Sequence, residues 1–67
     1  MNTQRVKEEM KAKHITGGRM SQELGMDTST FYRKMQKNGE NFSALDLLVF
    51  KRVLELSDQH ALDFLLS

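Results

Sequence analysis

Four hydrogen-bonding side chains follow the period of an α-helix in the segment TSTFYRKMQK, residues 28–37. They stand at i, i+3, i+4 and i+7 and are Ser29, Tyr32, Arg33 and Gln36. This spacing places them on one helical face, away from the apolar Phe31 and Met35. An arginine can bind guanine through O6 and N7, and polar side chains in the first turns of a helix can reach base edges in the DNA major groove. The side chains predicted to contact bases are Thr28, Ser29, Tyr32, Arg33 and Gln36.

Each of these side chains also has an alternative interpretation. Hydroxyl groups near the start of a helix often only cap it, which applies to Thr28 and Ser29. Arg33 could pair with Asp27 or bind a phosphate instead of a base. Tyr32 could stack against a thymine methyl group or a sugar, or it could lie at the rim of the core. The sequence leaves these alternatives open.

Residues on either side of this face are candidates for contacts to the DNA backbone. Lys34 and Lys37 flank it, and the glycines before Arg19 leave backbone N–H groups at a helix start that can bind a phosphate. The alternative is that the lysines are solvated side chains. The predicted backbone contacts are Thr16, Gly17, Gly18, Arg19, Lys34, Lys37, Asn38 and Asn41.

The charge distribution supports an anionic partner, although the formal net charge is only +1. Residues 1–39 carry eight Lys or Arg against four Asp or Glu, whereas residues 40–67 carry two against five, which gives +4 and −3. Such asymmetry is typical of a nucleic-acid-binding surface. A chance uneven scatter of surface charges is the alternative.

Five helices are predicted to position these residues. Apolar residues recur with a helical period between the glycines, and proline is absent. The first helix is expected from about Thr3, its N-cap, to His14. The second begins after Thr16 and ends at Gly25, because glycine adopts the left-handed conformation that ends a helix without steric cost.

The third helix is expected from Thr28 to about Lys37, with Asp27 as its N-cap and Gly39 at its end. Two short helices joined by a glycine-containing turn are the helix-turn-helix pattern, in which the second helix enters the major groove. The base-contacting residues would then lie on the second helix of such a motif.

The fourth helix has the clearest start signal, because Ser43 and Asp46 have the spacing of a capping box. It is expected from Ala44 to Leu56 and is apolar nearly all round, which predicts central burial. Ser57 is expected to cap a short fifth helix. The residues predicted to face inward on these two helices are Leu45, Leu48, Val49, Leu56, Ala61, Leu62, Leu65 and Leu66.

Three large apolar residues lie off these inward-facing stripes, namely Phe50, Leu54 and Phe64. Excess apolar surface of this kind suggests a partner protein, and a second copy of the chain is the first candidate. The alternative is that these side chains complete a small core. The prediction is a dimerisation surface formed by Phe50, Leu54 and Phe64.

Residues 15–50, ITGGRMSQELGMDTSTFYRKMQKNGENFSALDLLVF, resemble the DNA-binding domain of the Cro and repressor proteins of temperate phages. The likeness is strongest to short all-helical members with S-T-F-Y-R-K in the recognition helix, followed by N-G and F-S. In that family the residues matching Thr28, Ser29 and Arg33 read bases. The sequence departs from the family at Gly17, where a glutamine side chain usually binds a phosphate, and at Gly18.

The resemblance implies an all-α, five-helix, lambda-repressor-like domain that contains the helix-turn-helix. We expect a sequence-specific transcriptional regulator, Cro-like or a minimal repressor, that occupies a pseudo-palindromic operator in double-stranded DNA and blocks transcription. A homodimer, at least on DNA, would place two recognition helices about 34 Å apart. The alternatives are an antitoxin-like or adaptor protein-interaction module on the same fold and an excisionase-type accessory that bends DNA.

Other classes of function are not favoured. Cysteine is absent, and His14 and His60 are far apart in sequence, so no metal site is expected. Glu8 and Glu9 point to different helical faces and form no acid–base pair, and no nucleophile motif or glycine-rich phosphate loop is present. We expect no enzymatic activity, no cofactor and no small-molecule ligand.

The length of 67 residues predicts a single small domain. The longest uninterrupted apolar run is LLVF, residues 47–50, and the first residues lack the apolar core of a signal peptide. We therefore expect a cytoplasmic protein without a membrane partner.

Overall fold

The computed structural model describes residues 1–37 and 41–66. Within them the chain forms five helices and no strand, which confirms the predicted all-α class. The helices are α1 (Thr3–Ala12), α2 (Gly17–Leu24), α3 (Thr28–Gln36), α4 (Ala44–Val53) and α5 (Asp58–Leu65). In this fold α2 packs against both α3 and α4, and α1 packs against α5.

The first helix starts and ends differently from the prediction. Asn2 is its N-cap, because the Asn2 side chain accepts a hydrogen bond from the Arg5 backbone N–H at 3.2 Å, and Thr3 is the first helical residue. Asparagine is at least as favourable as threonine at this position. The helix ends at Ala12, before His14, which has a φ of 57°.

Within the described residues, three helices are ended by a residue in the left-handed conformation. His14, Gly25 and Glu55 have φ values of 57°, 70° and 53° after α1, α2 and α4. In each case the next residue donates its backbone N–H to the carbonyl five residues earlier, at 2.8–3.0 Å. This is the Schellman arrangement, and it directs Ile15 and Leu56 into the core. Only α2 uses the glycine that the arrangement favours.

The fourth helix begins as predicted and ends early. Ser43 accepts from the Asp46 backbone N–H at 3.1 Å, and the Asp46 carboxylate accepts from the Ser43 N–H at 3.0 Å, which completes the capping box. The helix ends at Val53, because Glu55 turns the chain, and not at Leu56 as predicted. Gly39, predicted to end the third helix, lies outside the described residues.

The core contains the three residues that were predicted to form a dimerisation surface, and that prediction was wrong. Phe50 and Leu54 are fully buried and Phe64 is 3% exposed. The centroid of the Phe50 ring lies 5.1 Å from that of Phe42, just before α4, and 6.3 Å from that of Phe31 on α3. These side chains hold the monomer together and are unavailable to a partner.

The surface carries four leucines that were predicted to face inward. Exposed fractions are 74% for Leu45, 60% for Leu48, 53% for Leu62 and 65% for Leu66. The fourth helix therefore has the opposite orientation to the predicted one. It buries the face with Phe50 and exposes the face with Leu45 and Leu48.

The start of α1 is bonded to the end of α5. Ser57 caps α5 as predicted, by accepting from the His60 backbone N–H at 3.1 Å. Near the other end of α5, the Asn2 N–H donates to the Phe64 carbonyl at 2.7 Å, and the Arg5 guanidinium lies 4.3 Å from the centre of the Phe64 ring. The beginning and the end of the described chain are thus part of one packed unit.

Candidate nucleic-acid interface

The outer face of α3 is polar and exposed. Ser29, Arg33 and Gln36 are exposed, and Tyr32 keeps 51% of its surface. The two apolar residues on the other face, Phe31 and Met35, are almost fully buried. The helix is therefore anchored by its apolar face and presents hydroxyl, guanidinium and amide groups to solvent.

The hydroxyl of Thr28 is hydrogen-bonded to a residue of α2. Its Oγ1 lies 3.1 Å from Oγ of Ser21, a buried residue of α2. Because the Ser21 hydroxyl donates its hydrogen to the Gly18 carbonyl at 2.8 Å, Thr28 is the donor to Ser21. Thr28 thus links α3 to α2 through its hydroxyl, which reduces its capacity to contact a base.

Ser29 and Arg33 differ in how firmly their polar groups are held. The Ser29 hydroxyl donates to Oδ2 of Asp27 at 2.6 Å. Asp27 occupies the N-cap position as predicted, but its side chain makes no capping hydrogen bond. Nη2 of Arg33 donates to Oγ1 of Thr30 at 3.4 Å, the long limit for a hydrogen bond. Its guanidinium is therefore held loosely and can reorient towards a ligand.

Tyr32 packs on the first residue of α2. Its phenol ring lies over the Cα of Gly17, so closely that a β-carbon at that position would be 2.5 Å from the ring atom Cζ. The ring also contacts Phe31 edge to face, with centroids 5.4 Å apart. This contact places the start of α2 beside the polar face of α3. Sequence reasoning missed it, although a glycine in the first turn of a helix can mark a close approach of another group to the backbone.

The start of α2 combines a capped end with exposed polar residues. The Thr16 side chain accepts from the Arg19 backbone N–H at 3.0 Å. Gly17 is buried beneath Tyr32, whereas Gly18 and Arg19 are exposed. Of the residues predicted to bind phosphate here, Arg19 offers a side chain with a positive charge, and Gly17 is covered.

The two lysines of α3 have different surroundings. Nζ of Lys34 donates to the Asn41 carbonyl at 3.1 Å and lies 5.6 Å from the centre of the Phe42 ring, so it fastens the chain that follows α3. Lys37, directly after α3, is exposed. Asn41 is exposed with a φ of 71°. Asn38 lies outside the described residues.

An ion pair neutralises the acidic residue that lies within α2 and α3. The sequences of α2 and α3 contain one carboxylate, that of Glu23. Its Oε2 lies 2.9 Å from Nη2 of Arg52 on α4. The remaining charges on these two helices, those of Arg19, Arg33 and Lys34, are positive. Sequence analysis did not pair Glu23 with Arg52, since the two are far apart in the chain and no periodicity connects them.

Residues 1–37 and 41–66 show neither a candidate metal site nor a candidate membrane-spanning helix. These residues contain no group of three His, Cys, Asp or Glu side chains that could hold a metal ion. None of the five described helices has both the length and the apolar character that crossing a bilayer requires.

No protein-family model, curated protein or solved structure matches this chain. The resemblance to phage Cro and repressor proteins therefore stays a prediction. What the chain does is inferred below from the geometry of α2 and α3.

Proposed function

We propose that this chain is a sequence-specific DNA-binding regulator of the Cro or minimal repressor type, which occupies a pseudo-palindromic operator in the bacterial cytoplasm and blocks transcription. The observation that carries the proposal is the two-sided character of α3. Its apolar face is buried and its polar face, with Ser29, Arg33 and Gln36, is exposed. A surface helix needs no such concentration of base-compatible groups for stability alone.

The dimensions of α3 suit the major groove. Nine residues make a helix about 13 Å long and about 10–12 Å wide, and the major groove of B-DNA is about 12 Å wide. In such a complex Arg33 would bind a guanine through two hydrogen bonds, and Gln36 would bind an adenine. Ser29, one turn earlier, would contact a base through its hydroxyl oxygen.

The neighbouring elements would contact the phosphates. The three residues 25–27 join α2 to α3, and the packing of Tyr32 on Gly17 holds the start of α2 next to the polar face of α3. Arg19 there, and Lys37 at the other end of α3, would each lie near one strand of the duplex. Such contacts set the position of the protein but carry no sequence information.

Selection of bound sequences from a pool of random duplexes tests the proposal. We expect enrichment of one short site repeated with two-fold symmetry, with half-sites about one helical turn apart. Enrichment of flexible steps without a symmetric site, together with bending of the duplex, would favour the excisionase-type alternative. Absence of any enrichment at low salt, where backbone contacts are strongest, would overturn the proposal.

A protein-interaction module is the second candidate function, and the exposed leucines of α4 and α5 favour it. Surface leucines on adjacent helices are typical of an interface with another protein. In that case a pull-down would recover a partner whose binding is lost with Leu48→Glu and unaffected by Arg33→Ala. If the chain is a DNA-binding regulator, Arg33→Ala should instead lower its affinity for the selected DNA.

A further inference from the structure

The first helix carries positive charge on the side that faces α3. Lys7 and Lys11 are four residues apart, share a face of α1 and are exposed. Together with Tyr32 they border a cavity of about 220 Å³ between α1 and α3. The two lysines thus lie beside the polar face of α3, on the side of Tyr32. The floor of the cavity consists of the buried residues Met10, Ile15, Phe31 and Met35.

The acidic residues of α1 lie on another side of the helix. Glu8 and Glu9 line a different cavity, which lies between α1 and α5. Oε1 of Glu9 is 3.9 Å from Nζ of Lys13, one turn further along the helix. Among the described residues, neither Lys7 nor Lys11 has an ion-pair partner. Their charges therefore remain available to an anionic partner.

We propose that Lys7 and Lys11 extend the DNA-binding surface onto α1, where they contact phosphates of the strand that passes beside Tyr32. A helix in the major groove has one DNA strand on each of its sides, and the two lysines lie on one side of α3. The inference rests on the proposed function of α3 and adds to it, because the phosphate contacts expected above all lie on other elements.

The spacing of the two lysines suits neighbouring phosphates of one strand. Four residues of an α-helix rise about 6 Å. Each strand of B-DNA carries one negative charge per about 3.4 Å of helix axis, so two long side chains separated by one helical turn can reach successive phosphates. Lysine binds a phosphate as a point charge on a flexible stem and needs no fixed geometry for it. Such contacts strengthen binding to any sequence and leave the choice of sequence to α3.

Fluorescence anisotropy titrations with two duplexes test the proposal, one with the selected site and one with an unrelated sequence. Lys7→Gln and Lys11→Gln should each weaken binding to both duplexes by the same factor, roughly fivefold to tenfold at about 0.1 M salt. Each should also make the slope of log K against log salt less steep by about 0.9. Lys51→Gln is the matched control, since it removes the same charge from α4, where Lys51 pairs with Asp58. That variant should bind like the unaltered chain.

A second measurement uses the unaltered chain and so does not depend on how well the variants fold. An amine-reactive reagent acetylates exposed lysines, and mass spectrometry locates the products. With an excess of the unrelated duplex at low salt, Lys7 and Lys11 should react several-fold more slowly than without DNA. Lys51 should react at the same rate in both cases.

The outcomes separate the failure of this inference from the failure of the proposed function. If the unaltered chain binds neither duplex at low salt, both are overturned. If Arg33→Ala lowers the preference for the selected site while Lys7→Gln and Lys11→Gln behave like Lys51→Gln, the proposed function stands and the role of α1 is wrong. A loss confined to the selected duplex also overturns the inference, because it would make the two lysines base-reading residues.

Discussion

The ring of Tyr32 occupies the space over Gly17 that a side chain would fill. A β-carbon at Gly17 would lie 2.5 Å from Cζ and 3.1 Å from Cε1 of that ring. Real β-carbons essentially never approach another atom within 3.0 Å. The ring is half exposed and can rotate away. Gly17 is therefore the residue that allows α2 and the polar face of α3 to meet in this way.

Gly17→Ala should displace Tyr32 without unfolding the protein. The clash falls on the end of a mobile side chain, and alanine favours a helix by about 1 kcal/mol over glycine, so the free energy of unfolding should change by less than about 1 kcal/mol. Nuclear Overhauser contacts between the Tyr32 ring and residue 17 should disappear. Gly18→Ala is the matched control, since the nearest atom to its new β-carbon is 3.9 Å away. That variant should keep the ring in place and gain about 0.5–1 kcal/mol.

Glu55→Gly should stabilise the protein. Glu55 holds a φ of 53°, which costs a residue with a side chain about 1–2 kcal/mol and glycine nothing, while the greater freedom of glycine in the unfolded chain removes part of that gain. We expect the free energy of unfolding in urea to rise by about 0.5–1 kcal/mol. Glu8→Gly is the control. It lies in the exposed interior of α1, where glycine should lower the same free energy by about 1 kcal/mol. Equal effects at both positions would contradict the role of the left-handed cap.

Phe50→Ala should remove a large part of the stability of the fold. Removal of a fully buried phenylalanine costs about 3–5 kcal/mol. A domain of this length is stable by only about 3–10 kcal/mol. Circular dichroism during heating should show a strongly lowered or missing transition. Leu48→Ala, at an exposed position of the same helix, should change the free energy of unfolding by less than about 1 kcal/mol. A stable, folded Phe50→Ala chain that had lost only dimerisation would support the sequence-based prediction that Phe50 belongs to a dimerisation surface.

Arg33→Ala should remove the preference for one base pair of the selected site. The loss of a bidentate contact to guanine costs about 1–3 kcal/mol of discrimination. Arg33→Lys separates shape from charge, because lysine keeps the positive charge but lacks the planar fork. Fluorescence titrations at several salt concentrations should show that Lys preserves the affinity for unrelated DNA while the preference for the cognate base falls. Equal discrimination by all three proteins would place base recognition elsewhere.

The helix order and most helix boundaries could be predicted from sequence, because their signals are local. Gly25, Ser43 and Ser57 act on backbone groups within a few residues, and the structure shows each of them in the predicted role. The left-handed turns at His14 and Glu55 could not be predicted in the same way, since neither position carries the glycine that marks such a turn. There the burial of the following residue stabilises the turn.

The orientation of α4 could not be predicted, because its sequence is apolar on all sides. A helix with one apolar stripe identifies its buried face, whereas ALDLLVFKRV offers two comparable faces. The aromatic contacts of Phe50 with Phe42 and Phe31 select one of them. These contacts join residues from different elements, and no local period contains that information. The polar face of α3 was easier to predict, since Phe31 and Met35 leave only one way to bury that helix.

The hydrogen bond from the Asn2 amide to the Phe64 carbonyl changes the hydrogen exchange expected at the start of the chain. Terminal segments usually fray, and their amides exchange with solvent within moments. Here the amide of the second residue is bonded as long as the start of α1 stays against the end of α5. Its deuterium uptake therefore reports on the docking of these two helix ends.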